Sequence, residues 1–172
     1  MDPKQIALKN KQRERNQRGN DFQQEIRRSW RHIPNVWRLR LKDGGGSTNA
    51  ADELTITNYV NVLAELKRTA GQKFKLGMLE PNQIKGLIDF DEVTERNYGL
   101  VFISFHNVSK GLDEAYAIRL KTALQFMRKR DQLHIHMDDL RNGTVPSIAM
   151  KRIQAAEPTF DLKEVAECSK YL

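Results

Sequence analysis

Cysteine is nearly absent from this chain. A single Cys168 in 172 residues excludes a disulfide framework and a thiolate-only zinc site. Long apolar runs are missing too: none approaches the roughly 18 residues that a membrane span needs. The basic N-terminus has no apolar stretch after it and does not read as a secretory signal. The expected setting is therefore reducing and cytoplasmic, with no membrane partner. Proline (5) and glycine (10) are sparse, and three of the glycines form one triplet, Gly44–Gly46, which reads as a loop. Acidic residues are scarce at one end. Residues 1–42 carry 12 Lys/Arg against 4 Asp/Glu, whereas residues 43–172 are nearly balanced at 17 against 18.

What is present is enough for one domain. At this length a folded chain buries about two thirds of the surface its unfolded form exposes, so the core needs no covalent staple. The expected organisation is a basic, flexible arm over residues 1–18 and a single domain over 19–172. The charge asymmetry points to a polyanion. Arginines from Arg13 to Arg40, interleaved with Trp30 and Trp37, suit phosphate oxygens and bases. Arg13, Arg15, Arg18, Arg27, Arg28, Arg40, Lys42 and Lys85 are the candidate nucleic-acid contacts.

Periodicity assigns the elements. Phe22, Ile26 and Trp30 recur every four residues, so a helix is expected from about Asn20, with Asp21 as its cap. Val36–Leu41 alternates and reads as a strand. Asp52–Ile56 and Tyr59–Lys67 read as two strands around a turn near Asn58. Pro81 opens a helix through Leu87. Leu100–Phe105, apolar except for Ser104, reads as a central strand. Further strands are expected at Tyr116–Leu120 and, at an edge, Leu133–Met137. Helices are expected at Ala123–Arg130 and Asp161–Ser169. The order predicts an α/β fold, a mixed central sheet flanked by helices.

The chemistry is carried by Asp52 and, thirteen residues later, Glu65-Leu66-Lys67. On a strand Glu65 and Lys67 share a face while Leu66 points into the opposite layer. A hairpin brings Asp52 beside Glu65. Two adjacent carboxylates repel, and a divalent cation held by hard oxygen ligands relieves that repulsion. Such a cation polarises a phosphate oxygen, and a nearby lysine stabilises the charge that builds there. The pattern alone also fits an ion pair on a solvated strand face. Gln83 and Lys85 lie in the first turns of the helix opened by Pro81, where the positive dipole end suits a phosphate.

Other polar residues read as structural. His134 and His136 suit an exposed strand face better than a zinc pair. Asp138-Asp139 reads as a turn, His106 as a loop residue, Arg128-Lys129-Arg130 as a solvated helix end and Cys168 as inert.

Taken in order, Arg18-Gly19, Phe22 and Glu25, Arg40 to Gly44, Asp52, Ala64 to Lys67, Pro81 to Leu87 and the Val101–Phe105 strand resemble the restriction-endonuclease-like nuclease superfamily. Its signature is an aspartate followed by (D/E)-x-K. Within it the chain resembles the RecU-type Holliday junction resolvases and their phage-encoded relatives, over about residues 18–150. The resemblance implies a restriction-endonuclease-like fold, a homodimer without a small-molecule cofactor, and Mg²⁺ for which Mn²⁺ substitutes. It also implies paired cuts in four-way junction DNA that leave 5′-phosphates, with a role in recombination and repair. For a phage-encoded chain the place of action is the bacterial host cytoplasm. It assigns Asp52 and Glu65 as metal ligands, Lys67 as the residue assisting the water, and Gln83 as a neighbour of the metal site. Where the family's first helix carries an acid, this chain has Gln23, then Gln24. Glu25, the nearest acid, is the candidate substitute ligand. Asp43 and Glu53 stay open as alternatives to Asp52. A nuclease acting on linear duplex and a non-catalytic DNA-binding protein of the same fold stay open as alternative functions.

Overall fold

A computed structural model describes residues 2–41, 49–167 and 172. The glycine triplet, Lys42, Asp43, Cys168 and Ser169 therefore lie outside the described residues. Helix α1 (Pro3–Trp30) leads to strand β1 (Trp37–Arg40), the hairpin β2 (Glu53–Ile56) and β3 (Asn61–Thr69), and a short β4 (Lys73–Lys75). Then come α2 (Pro81–Asp91), β5 (Asn97–Asn107), β6 (Leu112–Arg119), α3 (Leu120–Lys129), β7 (His134–His136), α4 (Met137–Arg141), β8 (Ile148–Ala149) and α5 (Lys163–Glu167). Six strands form one sheet in the order β1-β2-β3-β5-β6-β8. The β3–β5 pair is parallel and the other pairs antiparallel, so the sheet is mixed, as expected.

Each face of the sheet has its own core. On one face Phe22, Ile26 and Trp30 of α1 pack on Val62, Ala64 and Leu66 of β3, Phe102 of β5 and Val165 of α5. The four-residue spacing thus marks the buried stripe of α1. On the other face Leu87 of α2 and Ala123 and Met127 of α3 cover Val101, Ile103 and Phe105 of β5 and Ile118 of β6. The run Leu100–Phe105 is buried on both sides because β5 lies mid-sheet between helical layers.

Besides His106, which lies on β5 opposite Asp113 rather than in a loop, three expectations need correction. The first helix begins at Pro3, not near Asn20, and continues across residue 18. The Asp2 carbonyl accepts from the backbone N–H groups of Gln5 and Ile6, and proline suits the first helical position. Lys, Gln, Arg and Ala are good helix formers, which periodicity alone does not register. Asp21 sits mid-helix and accepts a hydrogen bond from Gln17 (2.8 Å) instead of capping. Second, β7 is not an edge of the main sheet. It pairs with β4, a strand absent from the expected set, in a separate two-stranded sheet. Third, Asp138 and Asp139 open a short helix rather than a turn. The Asp139 carboxylate accepts from the backbone N–H of His136, and His136 Nδ1 accepts from that of Asp138.

Helix α2 is seated by three contacts. Glu80 and Gln83 form a reciprocal capping box at its start. At its end Asp91 takes a two-pronged bond from Arg119 (both 2.7 Å) and also accepts the backbone N–H of Gly99 (3.1 Å). Gly86 and Gly99 let backbones approach closely: a β-carbon on Gly86 would collide with Ala50, and one on Gly99 with the Leu87 carbonyl. No described helix is long and apolar enough to cross a membrane.

Candidate active site

The hairpin register sets Glu53 opposite Ala64, which places Asp52 opposite Glu65. The Asp52 backbone N–H donates to the Ala64 carbonyl (3.0 Å), and its carboxylate Oδ2 accepts from the Leu66 N–H (2.8 Å). From the other side Asn82 of α2 donates to the Asn49 carbonyl (2.5 Å), and Ala51 is buried, so the approach to Asp52 is pinned at both ends. Glu65 is 2% exposed, and its Oε1 accepts from Lys67 Nζ (2.6 Å) and Gln83 Nε2 (2.8 Å). Gln83 Oε1 in turn accepts from the Glu80 N–H (2.9 Å) and Lys67 Nζ (3.4 Å). The same amide therefore caps α2 and fixes the strand carboxylate. Leu66 points into the opposite layer, as alternation requires.

Electrostatics mark the pair as strained. Burial, and then the neighbouring Asp52 charge, push the Glu65 carboxyl up to about 7 against the opposing pull of Lys67. Burial also raises Asp52, against the lowering effects of the Leu66 N–H and Lys67. Glu65 Oε2 is fully buried and has no hydrogen-bond partner. An acceptor left unpaired beside a second carboxylate is costly, and a hard cation satisfies both. The donor set fits a divalent metal on that ground: Glu65 Oε2 and the Asp52 carboxylate, all oxygen. Among the described residues no three His, Cys, Asp or Glu side chains gather at one point, so the carboxylates number two.

A cavity of about 280 Å³ opens over the pair, lined also by Asn20, Gln23, Arg40 and Asn49. Larger hollows lie elsewhere. An apolar one of about 320 Å³ sits between Tyr59 and Phe160, and a polar one of about 650 Å³ sits beside Glu25 and Arg152. The smaller cavity is the one lined by Asp52, Glu65 and Gln83, so chemistry and not size selects it.

Of the expected site residues, Asp52, Glu65, Lys67 and Gln83 converge. Glu25 does not join them. It is buried beside β3 and holds Arg68 Nη2 (2.7 Å) and Arg152 Nη1 (2.8 Å), because two helical positions beyond Gln23 turn it away. The expectation that Glu25 is a ligand is corrected accordingly. Gln23 is the residue that reaches the pair: its Nε2 donates to Asp52 Oδ1 (2.9 Å), and its Oε1 accepts from Arg40 Nη2 (3.2 Å). The sequence reading treats Gln23 only as the place of an absent acid; its signal was its position next to buried Phe22. Glu53 lies on the other face, where it accepts from Trp30 Nε1 (2.9 Å) and faces Arg38 (3.9 Å), so it is not the partner of Glu65.

The candidate DNA contacts scatter. Arg13 is exposed on the first half of α1, where no described side chain is buried before Phe22, and Arg18 is half-buried there. Arg15 belongs to the same helix. Arg27 is half-buried, and its carbonyl accepts from Arg38 (3.2 Å). Arg28 holds the Pro158 carbonyl (3.3 Å) and Glu157 (3.6 Å), and Lys85 pairs with Asp89. Arg40 borders the cavity.

Comparison with known proteins adds little. No family model matches the chain, and no curated protein matches it. Among solved structures, Hjc, a Holliday junction resolvase from the archaeal hyperthermophile Archaeoglobus fulgidus, superposes with a TM-score of 0.44 at 12% identity. The overlap covers 60% of this chain and 78% of that one. At that level the likeness carries no weight for function, which rests on the site itself.

Proposed function

We propose that this chain is a metal-dependent DNA endonuclease that resolves four-way junctions by paired phosphodiester hydrolysis. One observation carries the reading: two carboxylates, Asp52 just before β2 and Glu65 on β3, meet with a lysine and a glutamine, and one buried oxygen of Glu65 is unpartnered. In this reading Asp52 and Glu65 hold Mg²⁺, with Mn²⁺ as substitute. The bound cation supplies polarisation of a phosphate oxygen and a lowered water pKa. Lys67 orients the attacking water and stabilises negative charge on the phosphate. Gln83 holds Glu65 in place and faces the scissile phosphate. Water adds to phosphorus, the bond to the 3′-oxygen breaks, and that oxygen leaves with a proton, so a 5′-phosphate remains.

The basic residues of α1 lie along a helix about 42 Å long and suit the phosphate backbone. A homodimer sets two such sites across a two-fold junction, so that the cuts are symmetric. Residues 1–18 serve as the DNA-binding arm and 19–172 as the nuclease domain. The junction preference and the dimer rest on the motif resemblance.

The test is cleavage of a labelled four-way junction with Mg²⁺, run beside duplex of equal sequence. Asp52→Asn and Lys67→Ala abolish cleavage and retain binding. Full-rate cleavage by Asp52→Asn overturns the assignment, and equal cleavage of duplex moves the substrate to linear DNA. A second reading, a non-catalytic DNA-binding protein, is favoured by the presence of only two gathered carboxylates. Salt-sensitive binding indifferent to Mg²⁺, with no nicking, selects it.

A further inference from the structure

We infer that the site takes a single divalent cation per chain, and that Gln23 with Arg40 closes the flank where a second would sit. The inference rests on the nuclease reading and concerns the stoichiometry of the same site. Three of the four carboxylate oxygens, Asp52 Oδ1 and Oδ2 and Glu65 Oε1, already accept hydrogen bonds. Beyond Asp52, the Gln23 amide N–H donates to Oδ1 at 2.9 Å, with the Arg40 guanidinium 3.2 Å behind that amide. The Leu66 N–H takes Oδ2 at 2.8 Å. Beyond Glu65, the Lys67 ammonium at 2.6 Å and the Gln83 amide N–H at 2.8 Å both point at Oε1. An oxygen that accepts one N–H keeps a lone pair for a metal, so Asp52 can still join Glu65 Oε2 around one cation, while the positive charges of Arg40 and Lys67 behind the donors repel a second. The fourth, Glu65 Oε2, is buried and has no hydrogen-bond partner.

Charge leads to the same conclusion. Asp52 and Glu65 contribute two negative charges; Lys67 pairs directly with Glu65 Oε1, and Arg40 holds the Gln23 amide that binds Asp52. One divalent ion neutralises the acids, and a second has no counter-charge among the described residues lining the cavity. Gln23 is thus a positioning residue. It orients Asp52 toward the shared cation and presents a donor where an acid would present a ligand. Exchanging that one amide for a carboxylate reverses the polarity of the flank.

Binding of Mn²⁺ to the purified full-length protein, read by the loss of the free-ion electron paramagnetic resonance signal, tests this without any cleavage. The expected result is one Mn²⁺ per chain for the wild type, lost in Glu65→Gln. For Gln23→Glu the expected result is two per chain, or the appearance of spin–spin coupling between neighbouring ions. Two Mn²⁺ per wild-type chain overturn the single-cation inference while leaving the nuclease reading intact. No saturable binding overturns both. A Gln23→Glu protein that still binds one ion with unchanged affinity removes Gln23 from the role, and circular dichroism establishes that the variant is folded.

Discussion

Glu65→Gln should make the metal-free protein more stable while destroying the site. The folded state holds the Glu65 carboxyl at about 7, against 4.5 for the free group. Folding therefore favours its protonated form. A group raised in this way contributes stability fully below pH 4.5, and that contribution fades as pH climbs through 7. The difference corresponds to about 3 kcal/mol by pH 8. Glutamine copies the protonated carboxyl. Its oxygen keeps the Lys67 and Gln83 bonds, and its uncharged amide NH₂ takes the place of the unpartnered Oε2 and removes the repulsion from Asp52. Without metal, then, wild type and variant should unfold together near pH 4.5, and the variant should gain up to about 3 kcal/mol at pH 8. For a chain of this length that is a rise in Tm of roughly 6–12 °C. Adding Mg²⁺ should raise the wild type more at pH 8 than at pH 5, and should leave the variant nearly unmoved. Thermal unfolding with EDTA or Mg²⁺ across pH 4.5–8 measures all of this. A Glu65→Gln protein less stable than wild type at pH 8 in EDTA would refute the reading of this carboxylate pair as strained.

Glu25→Gln should weaken the fold by about 3–5 kcal/mol in denaturant titrations, because it strips charge from a buried pairing with Arg68 and Arg152. Mn²⁺ binding per folded molecule should persist, and its loss would return Glu25 to the metal site. Gly86→Ala should force α2 away from Ala50 and carry Gln83 with it, costing about 1–3 kcal/mol and weakening metal affinity. Unchanged stability would show that α2 does not need the close approach. Replacing Arg13 and Arg18 by alanine should lower DNA affinity and reduce the slope of log affinity against log salt by about 1–2, with the same effect on every sequence. An unchanged salt slope would exclude α1 from the phosphate contact.

The site was half legible in the chain, and the residues show why. Asp52, Glu65 and Lys67 are separated by short, regular stretches of extended backbone, so strand alternation and one hairpin already bring them to one face. Gln83 is visible because Pro81 announces the start of a helix and places it in the first turn. Gln23 and Arg40 escape such reasoning. Their meeting with Asp52 depends on how α1 and β1 dock against the hairpin, a distance of 29 and 17 residues in the two hydrogen bonds. Glu25 misled for the same reason, since its half-buried partner Arg152 lies 127 residues away. Strand β4 was hidden because three residues, Lys73–Lys75, carry too little pattern to register.

The amino-acid order alone thus determined the helical stripe of α1, the buried central strand and the convergence of two acids with a lysine, because each follows from periodicity within a short segment. Docking decided the rest. It made Gln23 the neighbour of Asp52, committed Glu25 to a pair of arginines, and left one oxygen of Glu65 without a partner. Those outcomes depend on side chains from distant segments competing for the same buried space, a competition that only the assembled layers resolve.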